Sequence, residues 1–240
     1  MRPPVLVGCA HGTRGAAGRR TVAELLLAVR ERRLDVDVEA AFVDVQPPTV
    51  ADVVARLADR GRDCVVVPLL LSAGYHVHVD VAAAVAPVPG AVAAAPLGPD
   101  PRLADLLAER LDAAGARAGD GVVLAAAGSS DPRSAAATQE VAGLLAERWD
   151  GPVVAGYGAS AEPSVADAVA ALRAGGARRV AVAAYLLAPG HFHDRLGDAG
   201  ADAVTAPLCL PGAPDARVVD VVLDRYAAAV TASSRRAPAR

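Results

Sequence analysis

Aromatic residues are scarce in this chain, and their scarcity indicates which side chains build its core. Only 3% of the 240 residues are aromatic, whereas 53% are hydrophobic. The core must therefore consist mainly of valine, leucine and alanine. Lysine is also absent, so that arginine is the only strongly basic residue. We interpret this as the compositional bias of a GC-rich genome rather than as a functional signal.

Other absences exclude whole classes of function. The net charge is −3 and no long basic run occurs, which argues against a nucleic-acid partner. No continuous apolar run reaches about 18 residues, and the N-terminus lacks the pattern of a signal peptide, so we expect no membrane partner. The three cysteines, Cys9, Cys64 and Cys209, are odd in number and two lie in or beside apolar strands. We therefore expect buried thiols in a protein of the reducing cytoplasm.

The first half of the chain alternates short apolar runs with amphipathic segments. This alternation predicts an α/β fold with a parallel sheet and right-handed crossovers. The predicted strands cover residues 5–10, 36–43, 65–71 and 91–95. The predicted helices cover residues 17–33, 50–60, 79–85 and 100–114.

The same pattern then starts again after a Gly- and Ala-rich linker. Three stretches of the first half recur at an offset of about 115 residues, which indicates a duplication. We therefore predict two similar Rossmann-like halves, residues 1–115 and 121–230, with a cleft between them. The last predicted helix ends at Ala229, and residues 231–240 are expected to form a disordered tail.

Histidines follow two of the predicted strands directly. His11 comes after the first strand, and His76 and His78 come after the third. Ligands of open parallel sheets bind beyond the carboxyl ends of the strands, so His11 and one member of the pair are expected to face each other. We choose His76, because the two side chains of an extended His-x-His pair point in opposite directions. Asp44 ends the second strand and is the predicted third member of a metal or proton-transfer site.

The second half keeps only part of this pattern. His191 and His193 match the first His-x-His pair, but Ala127 replaces His11, and Glu162 lies near the level of Asp44. We therefore expect the main site in the first half and a substrate platform in the second. Residues 129–132 are typical of a helix N-cap followed by proline. Three arginines at positions 14, 19 and 20 lie near a helix N-terminus, where carboxylates bind well.

In this ordered set of motifs the chain resembles the sirohydrochlorin chelatases, the class II chelatase family. The resemblance rests on Ala-His-Gly-Thr-Arg after the first strand, Phe-Val-Asp-Val-Gln-Pro-Pro after the second, the Gly-x-His stretch after the third, and the tandem duplication. It implies insertion of Fe²⁺ or Co²⁺ into sirohydrochlorin, with no ATP and no permanently bound cofactor. The family's two histidines, catalytic and metal-binding, map onto His11 and His76. The family's acid, usually Glu, maps onto Asp44, which is one methylene shorter.

The resemblance also suggests which residues contact the tetrapyrrole and in what assembly. The duplication is compatible with a monomer, in which the second half replaces the partner subunit of a half-length homodimer. The predicted substrate-binding residues are Gly12, Thr13, Arg14, Ser72, Gly74, Tyr75, His78, His191 and His193.

Two other functions remain open at this point. The histidine phosphatases have an Arg-His-Gly run in their phosphate loop, but this chain has Ala10 where that arginine is required. A non-catalytic carrier of tetrapyrrole or metal is the second alternative, since the second half has lost one imidazole. Ligand chemistry does not select among cobalt, iron and nickel.

Overall fold

Two four-stranded parallel sheets form the framework of the protein. The computed structural model describes residues 2–72, 77–212 and 214–236, and for Val77, His78 and Arg236 it describes the backbone alone. The strand order is β2-β1-β3-β4 in the first sheet and β6-β5-β7-β8 in the second. The two orders are equivalent, so the predicted duplication is also a structural one.

The element boundaries follow the predicted alternation closely. The strands are β1 (Val5–Ala10), β2 (Val38–Phe42), β3 (Cys64–Pro68), β4 (Ala91–Ala93), β5 (Gly121–Ala126), β6 (Val153–Tyr157), β7 (Val180–Tyr185) and β8 (Ala203–Val204). The α-helices are α1 (Ala16–Arg32), α2 (Val50–Asp59), α3 (Ala82–Val85), α4 (Pro101–Ala113), α5 (Pro132–Ala146), α6 (Val165–Ala174), α7 (His191–Asp194) and α8 (Ala216–Arg236). A π-helical turn, Val77–Val81, precedes α3, and a 3-10 turn, Arg195–Ala199, follows α7.

Local sequence explains where these elements begin. β1, β3, β5 and β7 are buried along their whole length, as continuous apolar runs in a doubly covered sheet should be. The N-cap side chains of α2 and α6, Thr49 and Ser164, each accept a hydrogen bond from the backbone N–H three residues later. Asp100 and Asp131 cap α4 and α5, and each is followed by proline at the first helical position. The predicted capping role of the segment before Pro132 is thus confirmed.

The last helix of each repeat packs against the sheet of the other repeat. α4 contacts β7 of the second sheet, whereas α8 contacts β3 and β4 of the first. Two ion pairs between α4 and α8 reinforce this packing. Arg102 pairs with Asp224, and Arg217 pairs with Glu109, each at 2.7 Å. Each repeat is therefore continuous in sequence, while its last helix packs against the sheet of the other repeat.

The C-terminal helix is also longer than predicted. It continues to Arg236, so residues 231–236 are helical and not the disordered tail that the sequence suggested. Its hydroxyl groups bond to the preceding turn: the Thr231 Oγ1 donates to the Ala227 carbonyl oxygen and the Ser234 Oγ to that of Val230, each at 3.0 Å. In the part of the chain that the structure describes, none of the helices has both the length and the apolar composition to span a bilayer.

All three cysteines are free and buried, as predicted. Burial, assisted by the negative charge of Asp80, raises the pKa of the Cys9 thiol to about 12. Burial likewise raises the pKa of Cys64 and of Cys209 to about 11. The thiols therefore stay protonated at neutral pH and do not act as reactive thiolates.

Candidate functional site

A large cleft opens between the two sheets at the carboxyl ends of their central strands. Its volume is about 930 Å³, near the upper end of the usual range for small-molecule sites. Most of its lining comes from residues 10–15, 69–72, 126–130 and 185–193. These are the segments that follow β1, β3, β5 and β7. In each sheet these two strands are neighbours and the chain order reverses there, which is where open α/β sheets bind ligands.

His11 lies on the cleft wall at the end of β1, and its backbone is fixed by the neighbouring strand end. The N–H of Asp44 donates to the His11 carbonyl oxygen at 3.0 Å. Gly12 follows with φ +97°, and a Cβ at this position would lie 2.1 Å from the Asp44 carbonyl oxygen. Only glycine allows this close approach, so the turn that presents His11 to the cleft depends on it.

Asp44 lies beside His11 through its backbone, but its side chain is exposed and is not part of the described cleft lining. Its Oδ1 accepts the Val45 N–H at 2.7 Å. The residue of this turn that does face the cleft and hold the His11 loop is Gln46. Its Oε1 accepts a hydrogen bond from the Thr13 N–H at 3.0 Å.

The second repeat reproduces this turn with alanine at both positions. The Ala159 N–H donates to the Ala127 carbonyl oxygen at 2.9 Å, and Gly128 has φ +90°. The counterparts of His11 and Asp44 are therefore Ala127 and Ala159. This confirms the predicted loss of the imidazole and places Glu162, expected near the level of Asp44, three residues beyond the counterpart of Asp44.

His191 and His193 enter the cleft from the second half. His191 is exposed, and its ring contacts that of Phe192 edge to face, with centroids 5.7 Å apart. His193 is half-buried, and its Nε2 lies 3.0 Å from the Thr205 carbonyl oxygen. Since a carbonyl oxygen only accepts, His193 Nε2 carries a proton, and in the neutral ring Nδ1 is the free acceptor.

Several predicted site residues lie outside the described residues. These are Gly74, Tyr75, His76 and the side chain of His78. The predicted pairing of His11 with His76 therefore stays a prediction. Among residues 2–72, 77–212 and 214–236, no group of three His, Cys, Asp or Glu side chains is arranged to hold a metal ion.

Direct contacts between the two halves fix the width of the cleft. A Cβ on the buried Gly18 would lie 2.7 Å from the Pro189 carbonyl oxygen, so α1 touches the His191 loop. At the equivalent contact between α5 and the segment after β3, the hydroxyl groups of Ser134 and Ser72 are 2.8 Å apart. The Tyr185 hydroxyl donates to the Leu71 carbonyl oxygen at 2.8 Å, and its burial raises the pKa of this phenol.

The charge of the described cleft lining is entirely positive. Arg14 and Arg19 line the cleft, and within the described residues neither forms an ion pair. Arg20, in contrast, pairs with Glu24 at 2.6 Å and is not among the cleft residues. No aspartate or glutamate lines this part of the cleft, although the chain has a net charge of −3. Such a surface favours an anionic ligand.

Among the cleft residues that the sequence interpretation did not select, three have a clear structural part. Gln46 was part of a recognised motif but was given no role. Tyr185 lies within an apolar run, which predicts only a buried strand. Phe192 stands between two selected histidines, and its position in a chain so poor in aromatic residues was the signal that could have identified it.

Fold and cleft together define a duplicated α/β protein whose repeats enclose a large cleft. The family model described as CbiX matches residues 5–114 and again residues 121–229. The chain therefore belongs to the CbiX family, which confirms the resemblance identified from its motifs.

Two curated relatives match one part of the chain. Both are named sirohydrochlorin cobaltochelatase. The one from Sulfurisphaera tokodaii is 35% identical over 78 residues, and the one from Sulfolobus acidocaldarius is 33% identical over 81 residues. The matches cover 31% and 32% of this chain and span 65% and 66% of the relatives' own lengths.

Solved structures share the fold over nearly the whole chain. SirB from Bacillus subtilis, solved with Fe³⁺, superposes with a TM-score of 0.80 at 19% identity and covers 98% of both chains. A structure described as CbiX, the terminal enzyme of sirohaem biosynthesis in denitrifying bacteria, gives a TM-score of 0.65 at 19% identity, covering 92% of this chain and 98% of that one.

Proposed function

We propose that the protein is a sirohydrochlorin chelatase, a lyase that inserts a divalent metal ion, Fe²⁺ or Co²⁺, into sirohydrochlorin without ATP. The observation that carries the proposal is the composition of the cleft, which combines imidazoles from both repeats with arginines and has no acidic side chain in its described lining. The names of the curated relatives support the same reaction.

The cleft matches both the flat shape and the negative charge of the substrate. Sirohydrochlorin is a flat macrocycle with many carboxylate side chains, and a slot open between two sheets admits a flat molecule. Arg14 and Arg19 face the cleft, where each guanidinium can bind a carboxylate through two parallel hydrogen bonds. The N-terminus of α1 lies on the same wall and has no acidic residue in its first turn, so its dipole adds to the attraction.

Metal insertion replaces two pyrrole protons by one divalent cation. The cation must be partly dehydrated and held by few ligands, so that it can leave the protein for the macrocycle. We assign this holding role to His11 together with His76. The two protons must be accepted by groups within reach, and a neutral imidazole is suited to this near neutral pH. Asp44 is proposed as the carboxylate that assists His11, because its backbone lies directly beside the histidine.

We further propose that the chain acts as a monomer in the cytoplasm, with the second repeat as a substrate platform. His191 and His193 lie on that platform, and the hydrogen bond to Thr205 fixes the orientation of His193.

Anaerobic absorption spectroscopy tests the proposal. Purified protein is mixed with sirohydrochlorin and either Co²⁺ or Fe²⁺, and the rate of metallation is compared with a protein-free control. A rate above the control that grows with enzyme concentration is the expected result. If the protein shifts the pigment spectrum but never accelerates insertion of either metal, it is a carrier and the proposed reaction is refuted.

A further inference from the structure

Phe192 is partly exposed inside the cleft, which is unusual for a phenylalanine. The chain has only two phenylalanines, and both lie in the cleft lining. Phe42 is buried, whereas Phe192 is 39% exposed. Among the described residues it is the only aromatic side chain in the group of exposed large hydrophobic residues. Small-molecule clefts are lined mainly by hydrophobic and aromatic side chains, so an exposed aromatic ring in this cleft is available to contact a ligand.

The backbone around Phe192 holds its ring in place. A Cβ built on Gly158 would lie 3.0 Å from Phe192 Cδ1 and 3.5 Å from Cε1, so the ring rests against the Gly158 main chain. The ring of His191 packs against it with an interplanar angle of 62°. The absence of a side chain at position 158 therefore leaves the space that the aromatic ring occupies.

We propose that Phe192 is a specificity-determining residue that packs against the conjugated macrocycle and sets its plane relative to the histidines; this inference rests on the proposed function. Aromatic rings favour offset-stacked or edge-to-face contacts with other π systems. Phe192 lies between His191 and His193 in sequence and shares the cleft wall with them. The contact selects a flat, conjugated ring over a saturated, puckered one, a distinction that Arg14 and Arg19 cannot make because they recognise only the carboxylates.

Binding of metal-free sirohydrochlorin, measured without any metal by fluorescence titration, tests the proposal independently of turnover. Phe192→Leu should raise Kd about two- to tenfold, the range of an aromatic pair. Phe192→Tyr keeps the ring and should leave Kd near the wild-type value. Leu34→Ala is the matched control, because Leu34 is 87% exposed and lies outside the cleft. Equal Kd values for wild type and Phe192→Leu would overturn the proposal.

A second variant tests the same contact without removing the ring. Gly158→Ala introduces a methyl group in tight contact with Phe192, so that the ring must shift slightly; it should weaken binding in the wild-type background and have a smaller effect in Phe192→Leu. Additive effects of the two substitutions would refute the coupling. Circular dichroism of each variant shows that the fold is intact. Wild-type protein that fails to bind the pigment at all would refute the proposed function itself, whereas binding that is indifferent to Phe192 refutes only this inference.

Discussion

Replacing His11 by alanine should abolish most of the activity while leaving the fold unchanged, and the duplication itself supplies the reason. At the equivalent position of the second repeat the chain already has Ala127. Its carbonyl oxygen accepts the Ala159 N–H at 2.9 Å, as the His11 carbonyl oxygen accepts that of Asp44 at 3.0 Å. The turn therefore forms with alanine as well as with histidine.

The magnitudes of the two effects differ widely. The His11 side chain is exposed, so we expect a change in the free energy of unfolding within about 0.5 kcal/mol, as for other surface substitutions. If the imidazole accepts a proton during metallation, its loss should lower the rate by about 10² to 10⁴, which corresponds to about 3–5 kcal/mol of barrier. Loss of a metal ligand would lower the rate further at subsaturating metal.

Two assays on the same preparation separate these effects. Urea unfolding measures stability, and anaerobic metallation of sirohydrochlorin measures the initial rate. Adding Ala127→His to His11→Ala is the matched control, since it returns an imidazole to the cleft at the related turn, where Ala159 provides no carboxylate; it should not restore the rate. A His11→Ala protein with more than a tenth of the wild-type rate, or one destabilised by more than about 1 kcal/mol, would refute the reasoning.

Three further predictions concern the cleft and its framework. Tyr185→Phe removes the hydroxyl that links the two halves and should lower the free energy of unfolding by about 1–2 kcal/mol, measured by urea titration, and an unchanged midpoint would contradict this. Gly128→Ala forces a methyl group to within 1.8 Å of a carbonyl oxygen and should cost more than about 1 kcal/mol. In the same titration Gly115→Ala, also at positive φ but with open space around it, should cost less. Arg14→Ala should raise the KM for sirohydrochlorin and weaken its salt dependence in steady-state kinetics, whereas Arg60→Ala, outside the cleft, should change neither.

Local pattern predicted the elements and their order because each signal lies within a few residues. Short-range sequence predicts the buried apolar runs of β1 and β3 and the caps at Thr49 and Ser164. The repeat could be recognised because the same short motifs recur along the chain. The position of His11 at a strand end could be predicted for the same reason. Parallel strands then bring the loops after β1 and β3 together without any detailed knowledge of packing.

Long-range packing could not be predicted in this way. The apolar stripes of α4 and α8 require that each helix be buried, but they do not say against which sheet. The packing of each helix on the sheet of the other repeat is specified by contacts between residues distant in sequence. Examples are the hydrogen bonds from Arg225 to the carbonyl oxygens of Pro96 and Leu97, each at 2.8 Å. The carboxylate of Asp44 gave a different difficulty, because it accepts a hydrogen bond from the adjacent Val45 N–H in an irregular turn, with a positive φ at Val45, that no local pattern indicates.

The two repeats have kept their backbone and diverged in their side chains, and this difference locates the chemistry. Gly12 and Gly128 share a positive φ and the same close carbonyl contact, because the turn cannot form without them. The cleft residues that follow are free to change, and Arg14 in the first repeat corresponds to Ser130 in the second. Charge and the His11 imidazole are thus concentrated on one wall, and the aromatic Phe192 on the other. A symmetric fold has in this way become an asymmetric cleft, whose two walls differ in charge and in aromatic character.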